Sequence, residues 1–583
     1  MRALVGRLKR LRSDAGIALP IVIGIGMVML ILVATSLTVA QSGLKKTDTD
    51  QDWNGALDAA YAAVEEYQSR LAGDNSYYTY GNPAAAFSKS PISSSSVTLP
   101  TGAATNPAFG IGATGTWATV PGSTPVASFR YEVDNSHYAQ NGAIRIRATG
   151  RVGNVTRSII ADLKQTGFID YLWFVDYEVQ DPQFTNLPSC KKHIWEGRST
   201  SCTTIQYGAN DAFTGPMHSN DTMTICGTQF DGSVTTSNPN SPRVVVPRGC
   251  GAATYTAGAP AFSAQLTMPP TNVELKKETR NDLTGNEVPI PGCLYTGPTV
   301  ITLTADGKMN VKSPWTIKTN ISETAGIASS APSKCGTPGT GTNGLGSTGG
   351  ATIDVLPSNV VYVQNVPAST SDPNYRSGTP SNFTCVGGTN PGWTFGSTQF
   401  PAVNEVAPDD ATTANPAYGC RNGDVFVKGV FDGAMTIAAE NYVYVTGNLS
   451  YEDEATDILG LVGNGAVWVW NPMKTSGYSV APLLTDNGRT IQAAILSVSH
   501  TFQLQNYNLG GVSRGTLSIL GSIAQTFRGT VAQGAVGYAK DYRYDERFAY
   551  MAPPKFLSPV SSSYGVTQFA SVAPAFTATG ATP

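Results

Sequence analysis

The chain has 583 residues, room for several domains, and carries 38 basic against 41 acidic side chains for a formal net charge of −3. Charged residues make up 14% of the sequence, against about 25% in an average globular protein. With no basic stripe beyond the first residues, this balance argues against a nucleic-acid binder.

Residues 1–16 hold Arg2, Arg7, Lys9, Arg10 and Arg12 against one acid, Asp14, and 17–40 hold no ionisable side chain; the next charge is Lys45. A helix of those 24 residues is about 36 Å long, enough to cross a hydrocarbon core of about 30 Å. Pro20 is tolerated in its first turn, where backbone N–H groups lack intrahelical partners. The basic cluster before the span predicts a cytoplasmic leader and a single-pass membrane protein with its bulk on the far side.

A glycine placed before the apolar run resembles a type IV prepilin. The resemblance implies that a prepilin peptidase cuts between Gly16 and Ile17 on the cytoplasmic side, and that the helix stays on the mature chain as anchor and assembly element. Two other readings stand beside it: Thr38-Val39-Ala40 before Gln41 as a signal-peptidase site, and an uncut anchor. Counting from Ile17, the fifth position is Ile21, where major pilins carry a glutamate. A buried carboxylate needs a partner, and a subunit with nothing ahead of it has none to meet. The missing acid therefore resembles PilX-like minor pilins and the pseudopilins that cap a fibre.

The helix is predicted to continue through 17–72. Trp53, Leu57, Ala60, Val64, Tyr67 and Leu71 recur at steps of four and three, one apolar stripe at helical period, and the alanines around them raise helix propensity. Gly43 and Gly55 predict a bend, and Gly73-Asp74-Asn75 a stop. A pilin-like helix has this design, its first half lipid-soluble and its second packed on a globular head; the competing reading is an anchor running into an unrelated amphipathic core helix. Asp50, Asp52, Asn54, Gly55 and Asp58 also match an EF-hand loop, but Tyr61 stands where a bidentate glutamate is required. Calcium is the one cofactor this pattern suggests; the other reading is a run of acids favouring a helix start.

Residues 73–166 read as a small α+β head. After a Ser, Thr and Gly-rich stretch at 77–125 come strands predicted at 128–133, 143–152 and 155–164, the last two joined by the hairpin signal Gly153-Asn154. Residues 167–182, with Phe168, Tyr171, Trp173, Phe174 and Tyr177, read as an aromatic hinge buried between two domains, and the segment resembles one in large PilX-like surface proteins.

From 183 to 420 lies a disulfide-bearing β region, and from 421 to 583 a β-solenoid-like region with a C-terminal cap. Short strands are predicted at 221–226, 299–304, 359–364, 423–431, 441–449, 466–470, 491–498 and 516–523, several ending in V-x-G or I-x-G. Such strands suit a β-solenoid, but the spacing is irregular and a pair of β-sandwiches is the alternative. Cys190, Cys202, Cys226, Cys250, Cys293, Cys335, Cys385 and Cys420 form no C-x-x-C pair. That excludes the common zinc spacings and points to disulfides, with about 105 pairings open. Cys190 with Cys202 is the favoured single pair, closing a local loop. The glycine-rich stretch 336–350 reads as a flexible surface loop.

Candidate chemistry is sparse. Gly511, Ser513 and Gly515 match the G-x-S-x-G nucleophile pattern, but none of the four histidines (His137, His193, His218, His500) follows Ser513, so the hydrolase order fails. His218 and Asp221, in Gly215-Pro-Met-His-Ser-Asn-Asp221, could face a metal; the same run reads as a tight turn and resembles a string in PilX-like proteins. Glu452, Asp453, Glu454 and Asp457 read as a solvated acidic turn rather than a calcium loop. The tyrosine and arginine-rich run 538–547 could bind glycan or peptide, or cap a solenoid end.

The resemblance implies a minor pilin-like structural subunit, not an enzyme, acting at a fibre tip or in assembly initiation. Its implied partners are other pilin subunits, the assembly machinery, a prepilin peptidase and the membrane, with surface ligands met by the β region. The alternatives are a membrane-anchored surface enzyme, which would need a carboxylate pair at catalytic spacing, and a secreted β-solenoid glycan-binding protein.

Overall fold

A computed structural model of the chain describes residues 18–81, 99–110, 116–136, 138, 143–209, 211–283, 291–321, 334–387, 391–406, 408, 416–476, 479–559 and 564–581. The chain divides into two compact units, residues 1–165 with 564–583, and residues 166–563.

The first unit is built on one helix, α1 (Ala18–Gly73). Its 56 residues span about 84 Å at 1.5 Å per residue. It runs without interruption past Gly43 and ends at Gly73, where Asp74 caps the 3₁₀ turn that follows by accepting from the Ser76 N–H at 2.9 Å. Beyond it lie β1 (Ala118–Thr119), β2 (Ala127–Asp134), β3 (Ala143–Val152) and β4 (Val155–Gln165), an antiparallel sheet closed on its far edge by the C-terminal strand Tyr564–Val572. Gly153 at φ 55° opens the two-residue turn joining β3 and β4, with Val152 opposite Val155. A positive φ at the first central position is what a type II′ hairpin needs.

The stripe on α1 lands on this sheet. Ala56, Ala59, Ala60, Ala63, Val64, Tyr67 and Leu71 are buried there with Ile144, Ile146, Ala148 and Ile159. Small residues on the helix let the backbones close in. A Cβ on Gly150 would stand 2.0 Å from the Ala56 carbonyl oxygen and 2.5 Å from the Ala60 nitrogen, so only glycine fits. Gly55 is a second close approach, its Cβ position 3.2 Å from a Val152 methyl. Polar bonds set the register: the Tyr131 hydroxyl donates to Glu66 Oε2 at 2.7 Å, and Asn106 Nδ2 donates to the Tyr77 hydroxyl at 3.0 Å. The tail locks the other face. Arg130 is buried, 3.7 Å over the Phe576 ring and donating to the Gly580 carbonyl at 3.0 Å. Ser158 Oγ accepts from the Ala575 N–H at 2.9 Å.

The second unit is almost all β, and its ladders are mainly parallel. One runs through Cys293–Thr296, Asn359–Gln364, Ala434–Ala439, Ile458–Gly463, Arg489–Ser497 and Ser513–Phe527, each paired in parallel with the next. Ser513–Phe527 then pairs with β5 (Trp173–Tyr177), and β5 pairs with Met217–Ser219. A second ladder joins Thr299–Thr304, Val425–Phe431, Tyr442–Tyr451, Ala466–Val469 and Phe502–Leu504. This parallel pairing differs from the antiparallel sheets of a sandwich.

Alternation explains the cores. In register, Val427, Val445 and Val469 stack inward on one face of the second ladder, while Phe426, Tyr444 and Trp468 stack on the other. Phe426 and Tyr444 lie with ring centroids 4.8 Å apart, nearly parallel. Two of the V-x-G or I-x-G endings have a packing cause. A Cβ on Gly429 would sit 2.1 Å from the Leu303 carbonyl oxygen, and one on Gly521 1.9 Å from that of Ala493, each on the neighbouring strand of the ladder.

Three expectations change. The aromatic segment 167–182 does not separate domains: β5 is an interior strand of the second unit, with Trp173 and Phe174 fully buried. The run 538–547 is not an end cap, because Val536–Tyr544 lies between two parallel partners, Ser513–Phe527 and Ala212–Thr214. The stretch 336–350 is a hydrogen-bonded loop rather than a flexible one. Leu345 is buried in the core, and its N–H donates to the Thr337 carbonyl at 2.9 Å while its own carbonyl accepts from Ser313 N–H at 2.8 Å.

Candidate functional site

The front half of α1 is a continuous exposed apolar surface. Among the described residues α1 is the one helix long and apolar enough to cross a membrane, and its apolar window is wholly uncovered. Leu19, Ile21, Val22, Ile25, Met29, Leu30, Leu32 and Val39 are all more than half exposed. Hydroxyls within this stretch are satisfied by the helix itself. Thr35 donates to the Ile31 carbonyl at 2.8 Å, Ser36 to that of Leu32 at 2.7 Å and Thr38 to that of Ala34 at 3.1 Å. A segment in lipid needs that internal pairing. The surface can therefore lie in hydrocarbon or against other apolar helices.

Gly16 and Ile17, the predicted processing site, lie outside the described residues, as does His137. The EF-hand match does not form a loop. Asp50, Asp52, Asn54, Gly55 and Asp58 are consecutive turns of α1, whose backbone cannot wrap an ion. Among the described residues no group of three or more His, Cys, Asp or Glu side chains is placed to hold a metal. The eight cysteines form four disulfides between sequence neighbours: Cys190–Cys202, Cys226–Cys250, Cys293–Cys335 and Cys385–Cys420.

The Gly215–Asp221 run is not the tight turn that the sequence suggests: its middle, Met217–Ser219, is a buried strand paired in parallel with β5 and with Val234–Thr236. His218 is fully buried, stacked near Tyr171 and Phe174, with Nδ1 2.9 Å from Thr235 Oγ1 and Nε2 3.2 Å from Asn220 Oδ1. Burial pushes its pKa down to about 4. Asp221 is equally buried and accepts from the backbone N–H groups of Glu178, Ile194 and Thr222 at 3.0, 3.0 and 2.7 Å, and from Arg198. Both side chains are spent on holding the chain. Asp457 likewise accepts from the Gly433 and Asp453 N–H groups at 2.9 and 2.8 Å, so that acidic cluster caps a turn. Ser513 is exposed at the start of its strand, accepting from the Gly515 N–H at 3.2 Å. Of the described histidines, His500 holds Asp181 at 2.7 Å instead.

Sequence reading missed the buried charges of the second unit. Arg528 Nη1 donates to Glu178 Oε2 at 3.0 Å, its guanidinium lies 3.3 Å from the Tyr207 ring centroid, and Tyr207 donates to Glu178 Oε1 at 2.8 Å. Burial raises the Glu178 pKa against the pull of Arg528. Lys540, its pKa lowered by burial, pairs with Asp211 at 2.6 Å on the wall of a cavity of about 480 Å³ that is otherwise lined mostly by Gly and Ala. Burial pushes Glu405 up to about 7 and Asp424 up to about 8. The partners in the Arg528–Glu178 and Lys540–Asp211 pairs are more than 300 residues apart in sequence, so nothing local marks them.

No protein family matches the chain, and no curated protein matches it. Among solved structures, the competence-associated pilin ComZ from Thermus thermophilus is similar at 11% identity, over 89% of this chain and 97% of that one, with a TM-score of 0.27. At so low a score the likeness carries no argument for fold or role.

Proposed function

We propose that the chain is a minor pilin-like structural subunit of a type IV pilus or related surface fibre, acting at the tip or in assembly initiation. The observation that carries the reading is α1. One unbroken helix has a front half apolar and uncovered, and a rear half laid on an antiparallel sheet through a stripe of small residues. The front half would sit in the membrane before assembly and between neighbouring pilin helices afterwards, where close packing replaces the hydrophobic drive that lipid removes. The leader before Ile17 is the substrate of a prepilin peptidase on this reading, and the first unit is the head.

Ile21, in place of an acid, suits a subunit with nothing ahead of it. The second unit, read as a β-solenoid from its parallel ladders, is a large extracytoplasmic payload. Four disulfides suit an oxidising compartment. A payload of this size on every subunit would crowd a close-packed fibre, which favours low copy number. The reading assigns the chain no catalytic step; contact with surfaces falls to the β unit.

Intact-mass analysis of the mature protein, together with its detection in purified fibres, tests the proposal. A start at Ile17 and presence in fibres supports it. A start at Met1 or Gln41, with the chain absent from fibres, refutes it.

A further inference from the structure

The cavity of about 480 Å³ in the second unit opens between residues 206–209 and the hairpin of Ala532–Gln533 and Val536–Tyr544, with Ser513 beside it. Its volume falls in the range of small-ligand sites, about 300–1,000 Å³. Its walls are not those of a site for an oily molecule. Among the described residues that line it, Val536 is the one aliphatic side chain larger than alanine. Ala209 and Ala535, both exposed, leave the space open because each carries only a methyl.

The charged part of the wall is a matched pair. Lys540 Nζ donates to Asp211 Oδ1 at 2.6 Å, and Asp211 Oδ2 accepts from the Gly208 N–H at 2.9 Å; the two side chains keep 10% and 11% of their exposure. An ion pair this dry adds little stability, since desolvation cancels most of the attraction. Its bonding capacity is not used up. An ammonium has three donors and a carboxylate about four acceptor sites, and the bonds just given engage one donor and two acceptor sites. The Ser513 hydroxyl accepts from the Gly515 N–H at 3.2 Å and has its own proton to give, and Gln206 presents an exposed amide.

A donor beside an acceptor, with no net charge, matches a hydroxyl group: its oxygen accepts from Lys540 and its proton goes to Asp211. A bare anion would be repelled by Asp211 and a bare cation by Lys540, where little water screens either. A sugar brings several hydroxyls on one compact ring, which suits a wall of polar groups and methyls. We propose that this cavity binds a sugar residue of a surface glycan, with Lys540 and Asp211 gripping its hydroxyls and Ser513 and Gln206 bonding others. The site deepens the pilin-like reading, on which it rests for its role, by giving the β unit's contact with surfaces a ligand class.

Binding is measured on the full-length protein in a detergent without a sugar headgroup, by saturation-transfer NMR and calorimetry. The probes are the methyl glycosides of glucose, galactose, mannose and N-acetylglucosamine, with cyclohexylmethanol, phosphate, acetate and choline as comparators. At least one glycoside is expected to bind, and no comparator to match it. Ala209→Trp and Ala535→Trp, at exposed positions on the wall, should each abolish binding by filling the space. Lys540→Met combined with Asp211→Asn removes both charges at once, so neither is stranded. That double variant should weaken binding by at least about tenfold, because hydrogen bonds to charged groups are lost. Thermal unfolding checks that each variant folds, and the three variants stand in for one another if one does not.

A wild-type chain that binds no glycoside, or binding that survives the tryptophan variants or the double variant, overturns the site. A comparator that binds as tightly as the best glycoside overturns the ligand class. A chain that starts at Ile17 and sits in fibres but binds no glycoside keeps the pilin-like reading and loses the site. A chain that binds glycosides but is absent from fibres keeps the site and loses that reading.

Discussion

Gly150→Ala is the sharpest probe of how α1 is held. The added methyl would lie 2.0 Å from the Ala56 carbonyl oxygen, 2.5 Å from the Ala60 nitrogen and 2.8 Å from the Ala59 Cβ. An ordinary carbon-to-oxygen approach is about 3.3 Å, so the helix must lift by more than about 1 Å. Two of the three obstacles are backbone atoms, so no side-chain rotation relieves the clash. Lifting loosens Ala56, Ala59, Ala60, Ala63 and Val64 together, and a gap near 1 Å forfeits about half of each dispersion contact. The expected cost is about 3 kcal/mol, the upper end for overpacking. For a unit of this size that lowers the unfolding midpoint by about 6 to 12 °C.

Thermal unfolding of the full chain in detergent, with hydrogen exchange read on the amides of residues 56–71, measures it. Faster exchange should concentrate there. Gly73→Ala, whose added methyl meets nothing within 4 Å, is the control and should leave both readouts unchanged. Wild-type exchange in Gly150→Ala would refute the claim that helix and sheet meet backbone to backbone.

Removing residues 564–583 should expose the edge of β4 and strip Arg130 of Phe576 and the Gly580 carbonyl; protease cleavage within the first unit should rise while the second unit stays resistant. His218 is buried with a pKa near 4 against 6.5 for the free side chain, so the unfolded chain takes up a proton first as pH falls. Stability is therefore lost between pH about 6.5 and 4, by about 3 kcal/mol for this group; His218→Gln should flatten that slope in urea unfolding. Asp424 has the opposite sign. The folded state keeps its proton up to about pH 8, so stability declines as pH rises from the ordinary carboxylate range to 8, and Asp424→Asn should remove that decline. Replacing Cys385 and Cys420 with serine opens a loop with a separation of 35 residues and should cost about 4 kcal/mol, against about 3 kcal/mol for the 12-residue separation of Cys190 and Cys202, as read from denaturant midpoints.

What could be read from the sequence was local. The α1 stripe from Leu57 to Leu71 and the Gly73 stop, the Gly153 hairpin and the valine-rich strands each follow from a repeat of 3.6 or 2 or from a turn residue, whereas Trp53, at the head of the expected stripe, is exposed. Partners were not legible. A period of two tells which face a residue takes and nothing about which strand lies beside it, so Trp173 opposite Ile523 had no local signature. The same limit made 538–547 look terminal when it has a neighbour on each side. The glycine-rich stretch 336–350 misled for another reason: composition suggested freedom, yet one leucine, Leu345, buried in the core fixes the loop.

The closing strand of the first unit comes from the far end of the chain. Gln165 and Tyr564 face each other in adjacent strands, so 398 residues of the second unit, 166–563, are an insertion between two neighbours in one sheet. A ribosome delivers the sequence in order, so the sheet stays one strand short until residues 166–563 have emerged. A polypeptide broken anywhere inside the insertion would present α1 on an unfinished sheet. The arrangement thus couples completion of the sheet beneath α1 to synthesis of the whole inserted unit.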